Sequence, residues 1–91
     1  MAIPPFSIDE ELDLHGLAID EAMVQVELLL NRYKNHKKTI VRIIHGYSSG
    51  KQNSIQGALK RNLNSIWKGK ILSHKPEPGN PGSTLILLGK S

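Results

Sequence analysis

The 91 residues predict an α/β domain with the element order β-α-β-α-β-β. Three observations carry that prediction. Apolar and polar residues alternate through "ELDLH" (11–15), the period of a strand with one buried side. Apolar residues then recur every three or four positions through 19–34, the period of a helix with one apolar stripe. Two apolar runs, "LDLHG" (12–16) and "RIIHG" (42–46), both stop at a His-Gly pair just ahead of a helical stretch.

Residues 1–10 read as an irregular lead-in, because Pro4 and Pro5 interrupt both helix and strand pairing. Residues 11–91 read as one domain, since a chain of this length holds no more. The first strand spans 11–15, with Leu12 and Leu14 on one face, Asp13 and His15 on the other, and Gly16 ending it. The first helix spans 19–34, with Ala22, Val26, Leu29, Leu30 and Tyr33 as its apolar stripe. Asp20 and Glu21 at its start and Arg32 and Lys34 at its end match the helix dipole. Its cap is weak, because Ala18 stands where Ser or Thr would serve better.

Thr39 to Ile44 forms the second strand, being rich in β-branched residues. "YSSGKQN" (47–53) is a loop. "SIQGALKRNLNSI" (54–66) is the second helix, with Ile55, Ala58, Leu59, Leu63 and Ile66 on one side. Gly57 inside it costs about 1 kcal/mol relative to Ala. "KGKILSHK" (68–75) reads as the third strand, "PEPGNPG" (76–82) as a turn-rich loop, and "STLILLG" (83–89) as the last strand, which makes four strands in all. A strand-helix-strand crossover makes its strands parallel. Both His-Gly pairs then lie at carboxyl ends of strands, the edge where open α/β sheets bind ligands.

Charge adds a partner. Seven of the eight acids lie between Asp9 and Glu27, whereas eleven of the twelve Lys and Arg residues lie between Leu28 and Pro76, which hold no acid. Such a block points to an anionic partner, nucleic acid first and an anionic membrane surface second. The chain has no cysteine, which excludes disulfides and thiolate metal sites. No segment is long and apolar enough to span a bilayer, and "MAIPPFSIDEE" has no secretory pattern. The expectation is a soluble cytoplasmic protein with no membrane partner and no small-molecule cofactor.

Two constellations could carry chemistry. Asp13 and His15 stand two apart on a strand, so the carboxylate can orient the imidazole for proton transfer. "HGYSSGK" (45–51) offers the second. Gly46 and Gly50 permit close backbone approach, the loop amides ahead of a helix suit a phosphate, Ser48 and Ser49 add hydroxyls, Lys51 adds charge, and Tyr47 can stack on a base. It is not a nucleotide-binding P-loop: Gly46 to Gly50 is one residue too short, and Gln52 follows the lysine. Lys60 and Arg61 on the second helix extend the basic surface. Asp13, His15 and His45 make a conceivable two-His, one-carboxylate set, but their spacing does not demand a metal, and a divalent ion such as magnesium is left open. His36 and His74 read as exposed, and Trp67 as core. No serine lies in a nucleophile-elbow pattern, so nothing indicates covalent catalysis.

"LDLHG" (12–16), "IIHGYSSGK" (43–51) and "GNPGSTLILL" (79–88) together resemble the Smr domain, the small MutS-related module, over about residues 11–90. The resemblance implies a two-layer α/β sandwich with a four-stranded mixed sheet, similar to the C-terminal domain of translation initiation factor three. It implies DNA or RNA binding and, in several members, endonuclease activity. The family's LDLH signature falls on Leu12 to His15, which gives Asp13 and His15 active-site roles. Its HGxG signature falls on His45 and Gly46, with Ser48 in place of the second glycine, while Gly50 and Lys51 match the later part of the loop. The last signature maps onto Gly79, Gly82 and Thr84, with Pro81 as an added rigid element. The expected function is phosphodiester cleavage by Asp13, His15 and His45. The alternatives are a non-catalytic nucleic-acid-binding module, which the altered loop favours, and a protein-interaction domain with an acidic partner.

Overall fold

The computed structural model describes residues 8–48, 51 and 53–90. In chain order these form β1 (Glu10–Asp13), α1 (Ile19–Arg32), β2 (Thr39–Ile44), α2 (Ile55–Leu63), a short 3-10 turn (Lys68–Lys70), β3 (Ser73–Pro76) and β4 (Ser83–Leu88). The four strands make one mixed sheet in the order β1-β2-β4-β3. β1 pairs parallel with β2, while β4 runs antiparallel to both β2 and β3. The chain thus crosses over twice, through α1 and through α2. The expected element order and mixed sheet are what is found.

Strand periodicity sorts the side chains onto two faces. Val41 and Ile43 of β2, with Ile86 and Leu88 of β4, point into one core shared with Ala22, Val26, Leu29 and Leu30 of α1 and Leu59 and Leu63 of α2. Both helices therefore cover the same face, which gives two layers. The alternate residues Ile40, Leu85 and Leu87 pack on the opposite face, against Ile8 and Leu72. On that opposite face, Arg42 grips Glu77, with Nε 2.8 Å from Oε1 and Nη2 2.6 Å from Oε2, and also meets Glu11. This fork ties β1 and β2 to the turn after β3. The two acids drive the Arg42 pKa up, and the guanidinium pulls that of Glu77 down.

Element ends differ from expectation for local reasons. The ladder begins earlier than residue 11, because Asp9 donates to the Ile40 carbonyl at 2.8 Å and its carboxylate accepts the Ile40 amide at 2.9 Å. β1 ends at Asp13, not His15. α1 stops at Arg32, with Tyr33 as its C-cap, so Lys34 falls outside the last turn. α2 stops at Leu63, where Ser65 Oγ donates to the Arg61 carbonyl at 2.6 Å and the Trp67 amide to that of Asn62 at 2.8 Å. The helical period breaks there. Ile66 is left 66% exposed instead of facing the core, and Trp67 enters it at 2% exposure. Lys68 to Lys70 turn instead of extending, since Lys and Gly are poor strand formers and the Lys70 amide bonds the Trp67 carbonyl at 2.9 Å. Pro76, expected in the loop, is the last residue of β3, an edge position where its missing donor is harmless.

Candidate functional site

The parallel pairing of β1 and β2 sets Asp13 opposite Ile44, so the two His-Gly pairs leave the sheet side by side. The turn before β4 arrives at the same edge, because Ser83 pairs with Ile44. Three segments therefore meet there: 14–17, 45–48 and 79–82. The His45 and Gly46 amides both donate to the Gly82 carbonyl, at 2.9 and 3.0 Å. Gly46 has φ +83°, a backbone form that side chains resist, and a Cβ there would sit 3.6 Å from His15 Cδ2. The His15 ring thus lies against Gly46, and the two strand endings form one place on the surface. Gly82 packs as closely, with its Cβ position 3.6 Å from the Gly46 Cα. Gly16 and Gly79 both turn the chain through positive φ.

The two histidines differ in what they can do. His15 is exposed. The Asp13 carboxylate accepts the His15 backbone amide at 2.9 Å, so it fixes the turn and does not hold the ring as the strand spacing suggested. β1 has ended by then, and the same-face rule with it. His45 is 5% exposed, and both of its ring nitrogens have protein partners: the Gly46 carbonyl at 2.7 Å from Nδ1 and Thr84 Oγ1 at 2.8 Å from Nε2. A carbonyl can only accept, so Nδ1 carries the proton and Nε2 accepts from the Thr84 hydroxyl. Burial pushes the His45 pKa down, opposed by the bond to the Gly46 carbonyl. His45 thus pins the end of β2 to β4 as a neutral group. That arrangement also leaves it no nitrogen for the conceivable metal set with Asp13 and His15. Among the described residues no group of three or more His, Asp or Glu side chains is placed to hold a metal ion.

The loop beyond Gly46 is held from within. Ser48 donates to Gln56 Oε1 from both its amide, at 3.1 Å, and its hydroxyl, at 2.8 Å. The Lys51 amide donates to the Ser48 carbonyl at 3.0 Å. Together with the Gly82 bonds, these contacts commit the amides of His45, Gly46, Ser48 and Lys51, which the sequence had offered to a phosphate. Ser49 and Gly50 lie outside the described residues. Ser54 caps α2 by accepting the Gly57 amide at 3.0 Å. Tyr47 is 66% exposed, as a stacking residue would have to be.

Beside these committed amides, the described side chains offer charge for a phosphate. A groove of about 480 Å³ runs along α2, lined by Ser48, Lys51, Gln56, Gly57, Lys60, Arg61 and Asn64. A smaller cavity of about 140 Å³ adjoins it, lined by Gln56, Leu59, Lys60, Leu63, His74, Pro76 and Thr84. His74, read from sequence as exposed, is half-buried and bonds Asn64 Oδ1 through Nε2 at 3.2 Å.

A protein-family model, the Smr domain, matches residues 12–89. The chain belongs to the Smr domain family. The solved Smr domain of Thermus thermophilus MutS2 is similar in structure, with a TM-score of 0.71 and 25% identity, covering 89% of this chain and 99% of that one. No curated protein matches. This Smr domain carries its two His-Gly segments at one sheet edge. Sequence reasoning missed Thr84 as the partner of His45, and Gln56 as the anchor of the loop. Thr84 had left a signal, since with Ser83 it is the polar start of an otherwise apolar strand. Gln56, in the first turn of a helix, had left none.

Proposed function

We propose that this Smr domain binds nucleic acid through its sugar-phosphate backbone and hydrolyses phosphodiester bonds. The observation that carries the reading is the meeting of His15 with Gly46 on the same sheet edge as the loop to Lys51 and the α2 groove. Lys51, Lys60 and Arg61 supply cationic side chains for the phosphates. Tyr47 offers a face to a base. His15 moves a proton at the scissile phosphate: water attacks phosphorus, the phosphorus–oxygen bond breaks, and the leaving oxygen gains a proton. His45 and Asp13 act as positioning residues, one through Thr84 and Gly46, the other through the His15 amide. A cleavage assay run with and without magnesium tests for assistance by a divalent ion. The site is cytoplasmic in this reading, and no helix among the described residues is long and apolar enough to cross a membrane.

A second reading, a non-catalytic binding module, is favoured by one observation. The Asp13 carboxylate holds the backbone and not the His15 ring, so no acid-base pair is assembled in this structure. His15→Ala separates the two. Cleavage by the parent that stops in the folded variant supports the nuclease, and binding without cleavage in either supports the module. Lys60→Gln tests the binding surface common to both. It should weaken DNA or RNA binding several-fold, and an unchanged affinity would remove the α2 groove from the interface.

A further inference from the structure

We infer that the smaller cavity beside α2 is a subsite for one unstacked nucleobase. The inference rests on the nucleic-acid reading and adds to it that the preferred substrate carries an unpaired base. The two cavities are neighbours by helix geometry. At 100° per residue, Gln56 and Lys60 form a ridge, with Gly57, Arg61 and Asn64 on one flank and Leu59 and Leu63 on the other. Gln56 and Lys60 accordingly line both cavities. The first flank is polar and cationic, as a phosphate requires. The second is not, because Leu59 and Leu63, only 1% and 2% exposed, form its floor beside Pro76, and an anion pressed there would lose hydration without compensation.

A nucleobase has two apolar faces and a polar edge, and the smaller cavity offers both kinds of surface. Its polar members are already oriented. Gln56 Oε1 is taken by Ser48, so what it presents to a ligand is its amide Nε2–H. The Thr84 hydroxyl gives its proton to His45, so its oxygen meets a ligand as an acceptor. His74 uses Nε2 toward Asn64, which leaves Nδ1 as an acceptor in the neutral ring. A donor and two acceptors around an apolar slot of about 140 Å³ suit the edge of a planar heterocycle. Lys60, on the ridge, would hold the phosphate of the same nucleotide. A base can reach the slot only when it is out of the stack, in a single strand, a bulge or a junction.

The test compares three labelled duplexes that differ at one position: fully paired, with one unpaired base, and with an abasic site in place of that base. Fluorescence anisotropy reads their affinities for the whole chain. The unpaired base should bind about tenfold more tightly than the abasic bulge, the order expected for stacking one base. His74→Ala, checked for folding, should lower that ratio while leaving abasic binding unchanged. In the parent, methyl resonances of Leu59 and Leu63 should shift with the unpaired base and stay in place with the abasic duplex. Equal binding of the two bulges, with still methyls, overturns the base subsite and leaves backbone binding standing. No binding to any duplex, nor to the corresponding single strand, overturns the nucleic-acid reading and the subsite with it.

Discussion

At the scale of single residues, the site depends on one buried imidazole and a few glycines. His45 is held neutral, with its pKa depressed by burial. The unfolded chain takes up a proton near pH 6.5, whereas the folded chain resists it. The contribution to stability is therefore present above about pH 6.5 and is lost as pH falls from there through the folded-state value. Urea midpoints between about pH 7.5 and about pH 5 should fall more steeply for the parent than for His45→Gln, and parallel curves would contradict the buried neutral role. Glycines give a ranking. Gly46→Ala meets only ordinary contact and should cost about 1–2 kcal/mol of backbone strain. Gly89 has φ +101°, and a Cβ there would lie 2.5 Å from the Lys37 carbonyl oxygen. Gly89→Ala should cost more, about 2–4 kcal/mol in denaturant unfolding, because strain and overlap add. Gly46 was marked in the sequence by its place after a strand-end histidine. Gly89 ended an apolar run in the same way but faced nothing visible in sequence, since its neighbour Lys37 lies on a distant loop.

At the scale of elements, sequence was most legible where one period ran unbroken. The α1 stripe buries Ala22, Val26, Leu29 and Leu30 as its spacing required. β2 spans Thr39–Ile44 as its β-branched run indicated. Legibility failed where a local hydrogen bond competed with the period, as when Ser65 and Trp67 ended α2 early and moved Ile66 outward. It failed again at Asp13, whose pairing with the His15 ring presumed a strand that had already stopped. The caps were partly legible. Ala18 lacks an oxygen for the first turn of α1, and Glu21 alone reaches back, accepting the Ala18 amide at 3.2 Å. Ala18→Ser, in a backbone already extended at φ −66° and ψ 151°, should raise stability by about 0.5–1 kcal/mol. Ser54→Ala should lower it by about 1 kcal/mol, since the Gly57 amide loses its acceptor. Thermal unfolding of the two variants would show opposite shifts, and shifts of the same sign would contradict the capping account.

At the scale of the molecule, the basic block of the sequence divides in space. Arg32 pairs with Glu10, and Arg42 with Glu11 and Glu77. Lys37 and Lys38 precede β2, at the opposite edge of the sheet from His45. Lys51, Lys60 and Arg61 line the groove beside the candidate site. Charge counted along the chain thus overstates the interface. If those three cations neutralise phosphates, log affinity should fall with log salt at a slope of roughly −2 to −3, far shallower than the whole basic block would give. A much steeper slope would mean that basic surfaces outside the groove also bind.

The central claim is that the two His-Gly strand ends form one nuclease site with His15 as its proton-transfer group. The most direct measurement incubates pure protein with labelled supercoiled DNA and with single-stranded RNA, with and without magnesium, beside a folded His15→Ala control. The account predicts nicked or shortened products from the parent, and their loss in the control with binding retained. Equal cleavage by both proteins, or tight binding with no cleavage by either, would contradict it.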